Sequence, residues 1–232
     1  ARPKPPGERR VSGTSLPRID IAERVTGHPF VHDLAPEGLL YGRPVHPPAL
    51  SARLVTLDLD GLKARPGVVA VVRDGSFVGV VAESENAAIL AARWAANRAE
   101  WAMEGEAPPD PVAAIGASEE PAETIHEAGE DPGSVAGDVY ETAVSRQYLS
   151  HGSIGPSAAL AEWSGDRLTV WSHTQGPYPL KEALAMALDL DAGGIDVIHH
   201  PGAGCYGHNG ADDVSLDAAL VARAMPGRPV LL

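Results

Sequence analysis

The sequence has 232 residues, enough for one large or two small domains, and its 44% hydrophobic content excludes wholesale disorder. A formal net charge of −13 argues against non-specific binding to nucleic acid or to anionic membrane surfaces, and no apolar run approaches the ~20 residues of a membrane-spanning helix. The single cysteine, Cys205, excludes a disulfide framework, a structural zinc cluster and a cysteine-ligated iron–sulfur cluster within this sequence. Against only 5% aromatics stand 25 Gly and 21 Pro, which predicts small residues packing helices on sheets, with many tight turns. The basic opening stretch has no apolar run behind it and is not expected to be a secretory signal.

Residues 1–17 are polar and Pro-rich and read as an extended lead-in. Residues 39–46 and 53–59 read as strands, the second alternating apolar with polar positions. Two β-branched runs, 68–72 and 77–81, flank Asp74-Gly75 and predict a hairpin. Ser84 is the N-cap candidate of a following helix, whose apolar stripe is expected at Ala87, Leu90, Ala91, Trp94, Arg98 and Trp101. The two tryptophans fit core anchors better than a ligand box. Nothing in this unit looks catalytic.

No Lys or Arg occurs between Arg98 and Arg146, an interval holding twelve acids and five prolines. The expected linker spans 104–136, either a solvated spacer or an acidic docking arm. Beyond it, 138–148 reads as a strand, and 158–163 with 167–173 as a second hairpin around Ser164-Gly165-Asp166. A helix follows Pro177, with Leu180, Ala183, Leu184, Ala187 and Leu188 at helical spacing, and Gly193-Gly194 ends it. A strand over 195–198, a Gly-rich loop and a helix over about 212–224 come next. The final Pro229-Val-Leu-Leu232 looks like the start of an edge strand, with Ala- and Leu-rich helices left uncovered.

Glycines 202, 204, 207 and 210 in nine residues can turn backbone N–H groups toward a ligand, or merely make a tight turn. Asp212 and Asp213 stand in the first turn of the next helix, where they compete with an anion. The spacing matches neither the dinucleotide fingerprint nor the phosphate-binding P-loop. Gln175 is either a ligand contact or a helix cap. His199, His200 and His208 invite a zinc reading, but adjacent residues on a strand face opposite ways, so polar surface positions explain them better. Cys205 has no partner Cys, which disfavours a nucleophilic or ligating thiol.

Several segments together resemble a known family. They are Gly13-Thr-Ser-Leu-Pro-Arg-Ile-Asp-Ile21, Gly42-Arg-Pro-Val-His-Pro-Pro48, Tyr148-Leu-Ser-His-Gly-Ser-Ile-Gly-Pro156, Trp171-Ser-His-Thr-Gln-Gly-Pro-Tyr178 and Gly202-Ala-Gly-Cys-Tyr-Gly-His-Asn-Gly210. In this order they resemble the molybdopterin-binding large subunit of the xanthine dehydrogenase/aldehyde oxidase family, in its isoquinoline 1-oxidoreductase- and nicotinate dehydrogenase-like branch. The resemblance implies an α+β fold: a hammerhead-like α/β domain over 18–103, then the start of a molybdopterin-binding α/β domain over 137–232. It implies a Gln near the molybdenum centre, which maps onto Gln175. It also implies a cofactor-contacting loop, which maps onto Gly204, Cys205, Tyr206 and Gly207, preceded by Ala203 where Gly is common. Gly155 stands where many relatives carry Glu.

The activity so implied is oxidative hydroxylation of an N-heteroaromatic or an aldehyde with water-derived oxygen, this sequence supplying one wall of the molybdopterin site. The family's catalytic Glu lies outside these residues, so no catalytic residue and no metal ligand are assigned here, and no cofactor is expected on this chain alone. Expected partners are the remainder of the large subunit or a second half-subunit, a separate iron–sulfur subunit and a small-molecule substrate, without nucleic acid or a membrane span. The expected compartment is the cytoplasm, with the periplasm as the alternative. Two readings from other classes stand beside the enzyme: a non-catalytic assembly or cofactor-insertion module, and a small-ligand binding protein using the Gly-rich loop.

Overall fold

A computed structural model describes residues 3–105, 109–121, 123–129, 131–209 and 214–232. Gly210, Asp212 and Asp213, and with them the expected start of the last helix, lie outside the described residues. The fold is mixed α+β. After a short helix α1 (Ile21–Thr26) come β1 (Leu40–Pro44), β2 (Ala52–Thr56), α2 (Leu59–Lys63), β3 (Val68–Asp74), β4 (Phe77–Ala82), α3 (Glu85–Ala96), β5 (Glu100–Met103) and α4 (Pro111–Gly116). The second half holds β6 (Ala159–Ser164), β7 (Arg167–Ser172), α5 (Pro177–Leu188), β8 (Ile195–His199), α6 (Val214–Ala222) and β9 (Val230–Leu231).

Seven strands form one sheet in the order β3-β4-β1-β9-β6-β7-β8, while β2 and β5 pair separately. β1 with β9 and β7 with β8 are parallel; the other described pairs are antiparallel. Strands from both sides of the 104–136 segment therefore share one sheet. Both expected hairpins are present, closed by two-residue turns between the pairs Asp74↔Phe77 and Ser164↔Arg167. Gly75 and Gly165 open these turns at φ +57° and +59°, the positive φ that the first position of such a turn demands.

One core gathers Leu40 and Val81 from the first half with Trp163, Leu168, Val170, Leu184, Ile195, Val221 and Val230 from the second. α6 lies across the sheet where β1 and β4 carry glycine: a Cβ on Gly79 would sit 2.2 Å from Val221 Cγ1, and one on Gly42 3.1 Å from Val221 Cγ2. Trp163 Nε1 fixes the same helix by donating to Ala219 O at 2.9 Å. A second core, with Leu54, Leu62, Val78, Val80, Ala91 and Ala95, packs Trp94 and Trp101 at its margin. Ser84 caps α3 as expected, its hydroxyl accepting from Ala87 N–H at 3.2 Å.

Several expectations are corrected. Trp101 lies on β5, because α3 has already stopped at Ala96. The buried face of α3 is Ala88, Ala91 and Ala95, with Leu90 outward, since only Ala methyls fit the close approach to the sheet. In α5, Ala183 and Ala187 point outward and Ala185 is buried. Residues 138–148 form no strand; all are exposed and none pairs with a described strand. The terminal strand is not an open edge: β9 lies at the centre of the sheet, between β1 and β6. Nor is α6 uncovered, since Val214, Ser215, Ala218, Ala219, Val221 and Ala222 are all buried.

Candidate functional site

The parallel pair β7–β8 ends at the register Ser172↔His199, so the segments that follow leave the sheet at one edge. After β7, His173-Thr174-Gln175 leads into α5, with Gly176 at the N-cap position and Pro177 in the first turn, where its missing N–H costs nothing. After β8, residues 201–209 form the Gly-rich loop. Strand neighbours emerging side by side are what bring the two turns together, and the loop's far end closes the contact. Asn209 O accepts from Gln175 N–H at 3.3 Å and from Thr174 Oγ1 at 3.4 Å.

Polar groups converge on this junction. Among the described residues, the buried polar side chains are Ser172, His173, Thr174, Asn209 and Ser215, and all of them meet here. Asn209 Nδ2 donates to His173 O at 2.9 Å and touches the His173 ring at Nδ1. Ala158 N–H donates to His173 Nε2 at 3.2 Å. Ser215 Oγ from α6 donates to Ser172 Oγ at 2.9 Å, which accepts also from Thr174 N–H. Buried polar groups demand partners, so such a cluster fixes geometry closely. Gln175 itself is exposed beyond this buried base, as is Tyr206.

The loop conformation needs its glycines at particular places. Gly204 and Gly207 hold φ +125° and +94°, and Tyr206 is itself left-handed at +54°. A Cβ on Gly202 would lie 2.6 Å from the His173 ring, so only glycine lets the loop start across that imidazole. Cys205 is half-buried and its thiol is held below the ordinary range, chiefly by the Asn209 N–H with help from those of Gly207 and His208, against a partial opposing effect of burial. His208 N–H donates to Cys205 O at 3.1 Å, which closes the turn over Cys205–His208.

The sequence-derived candidates Gln175, Gly204, Cys205, Tyr206 and Gly207 therefore belong to two adjoining turns, joined through Asn209. The histidines do not come together as one set: His200 stacks on His28 at 5.5 Å between ring centroids, and His208 tilts against His151 at 5.2 Å. Segment 151–157 lies over the loop, with Gly155 N–H donating to Ala203 O at 3.2 Å. Sequence reasoning missed Asn209 and the N-terminal clasp. Val31 N–H donates to Pro201 O at 2.7 Å, His200 Nε2 to Pro29 O at 3.0 Å, and His32 Nε2 to Pro156 O at 2.6 Å across 124 positions. No local pattern encodes contacts of that span. Beside the loop a groove of about 380 Å³ opens between Arg43, His46, Ser157 and His208.

The Gly-rich turn and the Thr-Gln turn leave the sheet at the edge where ligands of open α/β sheets commonly bind. Residues 119–232 match the molybdopterin cofactor-binding domain family. The chain is 39% identical over 237 aligned residues to a nicotinate dehydrogenase subunit of Pseudomonas putida, an alignment covering 95% of this chain and 20% of that protein. Its fold is that of quinoline 2-oxidoreductase from Pseudomonas putida 86 (TM-score 0.68, 22% identity, 94% of this chain and 34% of that one). It is equally that of aldehyde oxidoreductase from Desulfovibrio gigas (TM-score 0.71, 24% identity, 93% and 29%). The chain thus spans about a fifth of the curated relative and about a third of the solved chains. Its relatives are dehydrogenases and oxidoreductases, and none of the described helices is long and apolar enough to cross a membrane.

Proposed function

We propose that this chain forms one wall of the molybdopterin site in a cytoplasmic molybdenum hydroxylase acting on an N-heteroaromatic or aldehyde substrate. In that assignment, residues 18–103 are the hammerhead-like portion and 137–232 the first part of the cofactor-binding portion. The observation that carries it is the direct backbone bond from Gln175 N–H to Asn209 O, which joins the Thr-Gln turn to the end of the Gly-rich loop.

The residues present fit such a group in kind. The exposed Gln175 amide offers N–H donors, and the loop at Gly204–Gly207 combines positive φ with no side chain at either glycine to block a close approach. When bound, the cofactor supplies a two-electron acceptor for hydroxylation with water-derived oxygen. This chain's part would be to bind and orient: Gln175 would offer its Nε2 donor to the group, and the loop at Gly204–Gly207 would offer backbone N–H groups to its negative charge. The proton-abstracting carboxylate comes from the remainder of the large subunit or a second half-subunit, and electrons leave through a separate iron–sulfur subunit.

Metal analysis tests the assignment. Molybdenum should be absent from the purified 232-residue chain and stoichiometric in the complex formed with its neighbouring subunits, where dye-linked turnover of a nicotinate-, quinoline- or aldehyde-type substrate should appear. A complex that turns over without this chain, or loads molybdenum without retaining it, would assign the chain to assembly rather than to the site.

A further inference from the structure

We propose that Asn209 is a positioning residue, which locks the end of the Gly-rich loop to the turn after β7 and thereby sets Gln175 against Gly204–Gly207. The inference rests on the cofactor-site assignment above only for its functional consequence; the lock itself is read from the hydrogen bonds.

The β7–β8 ladder makes its last regular bond where His200 N–H donates to Ser172 O at 2.9 Å. Beyond it the chain departs as the Gly-rich loop, and the groups of residues 173–175 lose their strand neighbour. Asn209 replaces that neighbour. Its side chain Nδ2 donates to His173 O at 2.9 Å and its backbone O accepts from Gln175 N–H at 3.3 Å. One residue facing i with a donor and i+2 with an acceptor is the bonding pattern of a parallel ladder, here made half from side chain and half from backbone. Returning at Asn209, the loop is pinned at both ends to the same strand, and the span between holds Gly204 to Gly207.

The Asn209 amide meets both His173 O and the His173 ring, and with Nδ2 donating to the carbonyl it keeps two acceptors from facing each other. In that orientation, Asn209 Oδ1 is buried with no partner among the described residues, and Asn209 as a whole is 4% exposed. A buried acceptor left open weakens a fold. Leu of similar size keeps the volume of Asn209 and removes its side-chain donor.

The test uses the assembled molybdenum-loaded complex, with hydrogen exchange and steady-state kinetics on Asn209→Leu and on the shorter Asn209→Ser. The Gln175 amide should exchange at least about tenfold faster in both, while Leu160 and Val170 in the β6–β7 hairpin keep their protection. Misplacing Gln175 should lower kcat about 100-fold with KM within about twofold. Unchanged exchange at Gln175 in either folded variant overturns the inference, and so does an equal rise at Leu160 and Val170, which marks a role in overall stability. If Asn209→Leu does not fold, Asn209→Ser decides by the same criteria. Gln175→Ala separates the two levels: full turnover in that variant beside fast exchange at 175 in Asn209→Leu removes the cofactor-site assignment and leaves the lock standing, whereas lost turnover in Gln175→Ala with unaltered kinetics in Asn209→Leu removes the positioning role.

Discussion

Gly79→Ala probes the joint between the two halves of the chain. Gly79 sits on β4 without a positive φ, so alanine is compatible with its backbone, and lowering unfolded-chain entropy alone would stabilise by up to about 1 kcal/mol. Sterics act the other way. The new methyl would lie 2.2 Å from Val221 Cγ1 and 3.2 Å from the Phe77 ring, where ordinary carbon contacts are about 3.5–4.0 Å. Val221 is fully buried on α6 and already presses on Gly42 from the same side, so it has no room to rotate away. The helix must lift by about 1 Å, at the upper end of the overpacking range, about 3 kcal/mol. The net expectation is a loss of about 2 kcal/mol, or a fall of about 1 M in the urea midpoint at a typical slope of about 2 kcal/mol/M. Val221→Ala alone should cost about 2 kcal/mol from two lost carbons and the space they leave. Gly79→Ala made in the Val221→Ala background should then be neutral to within about 0.5 kcal/mol. Simple additivity of the two losses in urea titrations would refute the packing account.

Gly207→Val should eliminate cofactor retention and turnover in the assembled complex, because a β-branched residue opposes φ +94°; metal content per complex measures it. Cys205 should alkylate with iodoacetamide at a pH midpoint below that of a free cysteine, chiefly through the backbone N–H of Asn209; a midpoint at the ordinary thiol value would contradict that. His200 is held below its usual range, mainly by burial and further by His28 and His199, with its bond to Pro29 O opposing. The unfolded chain therefore binds the proton more readily, so this contribution to stability is complete above about pH 6.5 and is lost as pH falls through that value toward the folded-state one. Urea midpoints at about pH 7.5 and about pH 5.5, on either side of that ordinary value, should differ less in His200→Gln than in the wild type.

Local chemistry made some of this legible in advance. The Gly75 and Gly165 hairpins, the Ser84 cap and the Pro177 helix start follow from neighbours within a few residues, and each is where the pattern puts it. The pairing of the Thr-Gln turn with the Gly-rich loop was also accessible, since two strand–turn–helix units in succession place their turns at one edge. What the pattern could not carry is long-range. The β-branched and aromatic residues in 138–148 have the look of a strand, but no strand of the described sheet stands beside them. Asn209 reads as one more polar loop residue until the fold returns it to His173, and the clasp of Val31, His32 and Pro29 on residues 156–201 joins segments with no shared period. The rotation of α3 shows the same limit: Leu90 is the more apolar residue, yet the space over the sheet admits only the Ala side chains.

The place of β9 also bears on how the molecule is made. It emerges after both of the strands it joins, and it fills the slot between β1 and β6. Arg228 nearby closes on Gly38 O across 190 positions. A ribosome adding about 5–20 residues per second needs roughly ten to forty seconds to cover that interval. Until β9 is made, β1 and β6 each lack a neighbour that they have in the finished sheet. That waiting period is when a nascent chain of this kind is most open to mispairing, and when a chaperone or the arrival of residues 229–232 decides its fate.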